Sequence, residues 1–138
     1  MMKMMKFFTA LIGLIAFLSF TINDPGLKIV KYTRLPSGFV VVDYQDGKIK
    51  KQIKNKQLDT FYLNKTEIAE VNKEIDKLDI AAVVSEIDSY PMAEGNPATM
   101  YLFIKDNDTI KTNFFQLSKM PKQLRRLDYL LSKNRKGD

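Results

Sequence analysis

Carboxylates are the groups best placed to do chemistry in this sequence, and five of them stand close together. They are Asp76, Asp79, Glu86, Asp88 and Glu94. Two carboxylates across a cleft can hydrolyse a glycosidic bond, so this segment is compatible with a glycan hydrolase. However, the five occupy the polar positions of amphipathic segments and a loop, where charged side chains are ordinarily solvated. We therefore interpret them as surface charge and keep the hydrolase as the alternative.

The remaining reactive residue types are few. The 138 residues include no His, no Cys and no Trp. This composition excludes Ser-His-Asp and Cys-His nucleophile arrangements and zinc sites built on thiolate or imidazole. Ser and Lys are present, but no motif spacing ties a pair together. Asp106 and Asp108 are expected to form a turn rather than hold a cation. The sequence thus predicts no catalytic residue, no metal site and no cofactor.

A basic stretch from residue 47 to residue 56 is the first candidate binding feature. Its candidate site residues are Lys48, Lys50, Lys51 and Lys54. Lysines on an edge strand prevent edge-to-edge aggregation, which is the simplest interpretation. The same lysines could also dock an anionic lipid headgroup or glycan, or steer an acidic protein partner.

The segment Ala98–Phe115 predicts a hairpin, because apolar and other residues alternate on both sides of a turn. A three-residue loop at 106–108 would place Met100, Leu102, Ile104, Ile110, Thr112 and Phe114 on one face, the predicted core. Tyr101, Phe103 and Phe115 would then lie on the opposite face. They form the second candidate binding feature unless a second layer or the loop 92–97 covers them.

Three strands and a helix precede this hairpin, and their signals are specific. Strands are predicted over 27–34 and 39–44, with a third beginning at Lys48 after the hairpin turn Asp46-Gly47. That turn sets Tyr44 opposite Ile49, Val42 opposite Lys51, Val40 opposite Ile53 and Asp43 opposite Lys50. Asn64 and Glu67 then form a capping box that opens a helix with Ile68, Val71, Ile75 and Leu78 on its apolar face.

Two more helical segments complete the pattern. A short one carries Ile80, Val83, Val84 and Ile87, and the last runs from about Pro121 to Lys133 with Met120, Leu124, Leu127 and Leu131 in a stripe. The predicted fold is α+β: an antiparallel sheet of about five strands with two or three helices packed on one face, in the order βββ-α-ββ-α. It forms a single domain over residues 22–134, followed by a flexible tail over 135–138.

The N-terminus predicts export. Lys3 and Lys6 precede an uncharged apolar run over residues 7–20, the pattern of a signal peptide spanning residues 1–21. The alternative is an uncleaved anchor in the inner membrane formed by residues 7–22. With no Cys, the chain cannot be acylated as a lipoprotein. The expected location is the periplasm or the exterior, where nucleic acid is not an expected partner despite the net charge of +6.

The order of elements resembles that of a family of small exported bacterial domains of unknown function. The resemblance is carried by the Pro-Gly turn, the helix start Asn64-Lys65-Thr66-Glu67, Tyr90, the run Asn96-Pro97-Ala98-Thr99, and Pro121 with its Leu-rich helix. Members often have cysteines near the first turn, where residues 35–38 have none. The resemblance implies export and the strand-helix order, and no activity.

Taken together, these features predict a small exported, non-catalytic binding module of the bacterial cell envelope. Its partner would be an envelope protein or glycan, bound through the aromatic strand face or the Lys-rich edge. Two alternatives remain: a carboxylate-dependent hydrolase of envelope glycan, and a peripheral protein that binds anionic membranes through the Lys-rich edge. The chain would not be an integral membrane protein if its signal is cleaved.

Overall fold

A computed structural model describes residues 26–133 and residue 135 of the chain. Within these residues it confirms the α+β class, with one antiparallel sheet of six strands in the order β4-β3-β2-β1-β5-β6 and three α-helices. The strands are β1 (Lys28–Leu35), β2 (Gly38–Gln45), β3 (Lys48–Ile53), β4 (Asp59–Tyr62), β5 (Ala98–Lys105) and β6 (Asp108–Lys111). The helices are α1 (Lys65–Asp76), α2 (Ile80–Asp88) and α3 (Lys122–Ser132), the last preceded by a 3₁₀ turn at Leu117–Lys119.

The predicted leader, residues 1–21, lies outside the described residues, as does most of the predicted tail. Across residues 26–133, the three helices are all too short or too polar to traverse a bilayer.

The hairpin of β2 and β3 has the predicted register. Tyr44 pairs with Ile49, Val42 with Lys51, Val40 with Ile53 and Asp43 with Lys50. Both turn residues have left-handed backbone, with φ of 50° at Asp46 and 80° at Gly47. A Cβ atom at residue 47 would come within 2.7 Å of the end of the Ile68 side chain, which would have to shift, and the left-handed backbone itself favours glycine. The turn thereby places the start of α1 against the sheet.

The structure contains one strand more than expected, and this changes the position of the basic stretch. Residues 59–62 form β4, which pairs with Lys48–Lys51 of β3. The strand has only four residues, too few for alternation to be recognised in the sequence. Because β4 is the outermost strand on this side, β3 is an inner strand. The prediction that the lysines lie on a sheet edge is therefore wrong.

The second hairpin has a different register from the predicted one. Lys105 pairs with Asp108, so the loop has two residues, Asp106 and Asn107, instead of three. Asp106 adopts the left-handed backbone that the turn requires, with φ of 52°. As a result Phe103 pairs with Ile110, and Leu102 pairs with the polar Lys111.

The face assignment is reversed for β5 and for Phe114 and Phe115, whereas Ile110 packs against the core and Thr112 is buried, as predicted. Tyr101, Phe103 and Phe115 are almost completely buried, whereas Met100, Leu102, Ile104 and Phe114 are only half-buried. The physical reason is that β5 is apolar on both sides, so alternation cannot identify the core side. Pairing with β1 decides it: Ile29 lies beside Phe103, and both lie under the helices.

The helices form a single layer over this side of the sheet, which we call the helix face. Asn64 and Glu67 make the predicted capping box, with the Glu67 amide donating to Asn64 Oδ1 at 2.8 Å. The core side chains of α1 and α2 are buried, as are those of α3, and they form one hydrophobic cluster with the strands. Apart from Ala98, every fully buried side chain of the six strands lies on the helix face.

Candidate binding surface

The opposite side of the sheet, which we call the open face, has an apolar centre without a helix over it among the described residues. Eight half-buried apolar side chains form this centre, here called the apolar strip: Val30, Tyr32, Phe39, Val41, Met100, Leu102, Ile104 and Phe114. Seven of them come from β1, β2 and β5, the three adjacent central strands. Antiparallel sheets with one solvated face usually carry polar residues there, so the apolar strip makes this face a candidate binding surface.

One end of the apolar strip is built from aromatic rings. Tyr32 stacks on Phe39 with ring centroids 5.8 Å apart and meets Phe114 edge-on at 6.0 Å. The guanidinium of Arg34 lies 4.6 Å from the centroid of the Phe114 ring. These contacts fix the rings in one arrangement, so this end offers a preformed surface.

Arg34 also holds the adjacent loop in place. Its Nε donates to Asn96 Oδ1 at 2.8 Å, and one terminal nitrogen donates to the carbonyl oxygens of Ala93 and Gly95 at 3.3 and 3.4 Å. The loop over residues 92–97 therefore has a defined position beside the open face, and its residues 92–95 line a cleft together with the buried Phe115. Its role is to border the aromatic end of the strip.

The predicted lysines divide between the two faces. Lys48 and Lys50 lie on the open face, and Lys54 follows in the turn at the end of the same strand. Lys51 lies on the helix face, where it lines a cavity of about 90 Å³ with Asp59 and Lys133. The structure therefore brings Lys48 and Lys50 to one face and separates Lys51 from them.

The predicted aromatic residues do not belong to any accessible surface. Tyr101 stacks between Phe103 and Phe115, with ring centroids 5.9 and 6.4 Å apart, inside the core beneath the helices. The proposal of Tyr101, Phe103 and Phe115 as a binding surface is therefore wrong, because no partner can reach them in the folded domain. The accessible apolar side chains of β5 are their sequence neighbours.

Sequence reasoning missed the β1 and β2 residues of the strip. A signal was present, since Phe39 to Val42 is an uninterrupted apolar run. Such runs are typical of strands that are apolar on both faces. Val40 and Val42 point to the helices, which leaves Phe39 and Val41 for the open face.

A buried polar cluster on the helix face was also missed. Lys31 Nζ lies 2.5 Å from Asp128 Oδ1 and donates to Ser132 Oγ at 3.2 Å, while the Tyr101 hydroxyl donates to Asp128. Burial raises the pKa of Tyr101 well above its usual value, and the adjacent negative charge of Asp128 and their hydrogen bond raise it further. The carboxylate thus has three partners, and the cluster ties α3 to β1 and β5.

The five clustered carboxylates are all exposed, and they do not share a single cleft. Asp79 is the N-cap of α2 and accepts a hydrogen bond from the Ala82 amide at 3.0 Å. Of the five, only Glu94 lines the cleft of about 360 Å³ between the loop and Lys119. Burial raises the pKa of Tyr90, another lining residue, and the hydrogen bond with Glu86 and the charge of Glu86 raise it further. Within the part of the chain described, no three acidic residues group as a metal site.

Comparisons of the chain with protein-family models and with curated proteins returned no match.

Proposed function

We propose that this chain is a small exported, non-catalytic binding module of the bacterial cell envelope, and that it binds a protein partner with the open face of its sheet. The observation that carries the proposal is the apolar strip: eight half-buried apolar side chains, seven of them on three adjacent strands, with the three described helices packed on the other side. A strip of this kind leaves apolar area in water that a partner can remove.

The composition of the surface supports binding rather than turnover. The strip is flanked by Lys48 and Lys50, and its aromatic end is fixed by Arg34. Apolar area, aromatic rings and an Arg are the residue types that carry most binding energy at protein interfaces. The predicted signal peptide supports the envelope as the location, since export would bring the domain to envelope partners.

Site-specific photo-crosslinking tests the proposal in the cell that produces the protein. A photoreactive amino acid replaces Val41 at the centre of the strip, and in a matched chain it replaces Ala81, which is exposed on α2. We expect discrete adducts with another protein from position 41 and none from position 81. Equal labelling from both positions, or no adduct from position 41, would refute the open face as the binding surface.

A pair of charge substitutions measures how strongly partner capture depends on the apolar strip. Val41→Glu places an unpaired carboxylate in the apolar contact and should weaken capture of the crosslinked partner at least tenfold, because burying an unpaired charge is costly. Ala81→Glu introduces the same charge and should leave capture unchanged. Circular dichroism and thermal unfolding of both variants establish that the domain is folded.

A further inference from the structure

The width of the apolar strip is the first clue to its occupant. The strip spans β2, β1 and β5, which are neighbours in the sheet. With adjacent strands about 4.8 Å apart, the outer two of these are about 10 Å from each other. An α-helix with its side chains is about 10–12 Å across, so a single helix matches the width of the strip.

The length of the strip fits a short helix. Met100 to Ile104 on β5 spans four residue steps, or about 14 Å at about 3.4 Å per residue. At a rise of 1.5 Å per residue, about nine helical residues cover that distance. Helices on the second face of a sheet are also a standard way to complete a layered fold.

Charge on both sides of the strip gives the second clue. Lys48 and Lys50 on β3 flank it on one side, and Lys111 on β6 flanks it on the other. We call these three residues the basic flanks. Among open-face positions of the six strands, Asp43 is the single acid, and Lys28 already pairs with it at 3.1 Å. Strands β3 and β6 are four spacings apart, about 19 Å, so the flanks stand just outside a helix on the strip.

From this geometry we propose that the occupant of the open face is an amphipathic helix of a partner protein, with acidic side chains along both borders of its apolar stripe. This inference rests on the function proposed above. The apolar stripe packs on the strip, and its Asp and Glu side chains meet the basic flanks on the two sides. Such an arrangement fixes the orientation of the helix and gives salt-dependent association.

Two other occupants fit the surface less well. A second copy of this chain would bring the same lysines face to face, which is unfavourable for like charges. A membrane requires apolar side chains that reach about 5–10 Å into the interface. The members of the strip are half-buried in a sheet, so they do not project that far.

Two synthetic peptides test the proposal with the full chain purified from cells that export it. Both are 18-residue helices with one stripe of Leu, bordered by Glu in one peptide and by Lys in the other. We expect the Glu peptide to bind at least tenfold more tightly in calorimetric titrations. Binding should shift the methyl NMR signals of Val30, Val41 and Leu102 and weaken as salt is added.

A charge-reversed variant sharpens the test. Changing Lys48, Lys50 and Lys111 together to Glu should invert the preference, so that the Lys peptide binds at least tenfold more tightly. A control with Lys65, Lys73 and Lys122 changed to Glu carries the same net charge change on exposed helix positions and should keep the original preference. Inversion in the control as well would show that net charge, and not the flanks, is recognised.

Several outcomes overturn the inference. Equal binding of the two peptides would show that the flanks do not select for acid, and no binding of either would show that the strip does not accept such a helix. Sedimentation with anionic vesicles that Val41→Glu abolishes would assign the face to a membrane, and a concentration-dependent dimer would assign it to a second copy. Adducts from position 41 with a protein that lacks an acidic helix would overturn this inference while leaving the proposed function intact.

Discussion

The two faces of β1 show how the same residue types behave in two environments. Lys31 on the helix face and Lys28 on the open face each pair with an aspartate, at 2.5 Å to Asp128 and 3.1 Å to Asp43. The Lys31 side chain is 9% exposed and that of Lys28 is 36% exposed. Only the first pair has lost most of its water, so only the first can strongly affect stability. The helix face holds the fold together, and the open face leaves its charged and apolar side chains partly exposed to water.

The largest difference in stability loss between the two faces is expected from substitutions at two neighbouring residues of β5. Phe103→Ala removes a ring buried under the helices and should lower the free energy of unfolding by about 3–5 kcal/mol. Leu102→Ala trims a half-buried side chain of the strip and should cost about 1 kcal/mol. Urea denaturation of both variants measures the two losses. Similar losses would mean that the open face is buried as deeply as the helix face.

The two lysine pairs provide the second comparison. Lys31→Met leaves Asp128 largely buried with Tyr101 and Ser132 as its remaining partners, and should cost about 3 kcal/mol. Lys28→Met leaves Asp43 in contact with water and should cost less than about 1 kcal/mol. Free energies of unfolding measured for both variants at neutral pH test whether the loss is larger for Lys31→Met. A smaller loss for Lys31→Met than for Lys28→Met would show that burial does not separate the two pairs.

The sequence predicted most of the fold because its local signals were specific. The Asp46-Gly47 turn set the register of β2 and β3, and the Asn64–Glu67 capping box located the start of α1. The stripe Met120, Leu124, Leu127 and Leu131 identified the buried side of α3. Each signal depends only on residues a few positions apart, so tertiary context did not alter it.

The candidate site was predicted less well, because its location depends on contacts between distant segments. In β5 both faces are apolar, and only pairing with Ile29 of β1 places Phe103 under the helices. Lys31 and Asp128 are far apart in the sequence, and no local pattern connects them. The edge position assigned to Lys48 and Lys50 was wrong, because β4 was too short to recognise in the sequence.

Among the helix-face substitutions, the smallest expected effect at neutral pH comes from Tyr101→Phe, which removes one hydrogen bond to Asp128 while keeping the ring. The loss should be about 1 kcal/mol at pH 7. The effect of Tyr101 on the pH dependence of stability is expected at alkaline pH. Because the folded-state pKa of Tyr101 is raised, the unfolded chain releases this proton first as pH rises above about 10. Ionisation of the unfolded state then favours unfolding, so stability falls from about pH 10 up to the folded-state pKa.

Tyr101→Phe should therefore flatten the alkaline fall in stability by up to about 1.4 kcal/mol per pH unit, the contribution of one proton. Tyr44→Phe is the matched comparison on the same face, since burial also raises the pKa of Tyr44 while a hydrogen bond involving the Gly47 backbone lowers it. We expect a smaller flattening there. Free energies of unfolding measured in urea from pH 8 to pH 11 test both. If Tyr101→Phe left the alkaline fall unchanged, the phenol would ionise as readily in the folded chain as in the unfolded one, and the helix face would admit water to the Asp128 cluster.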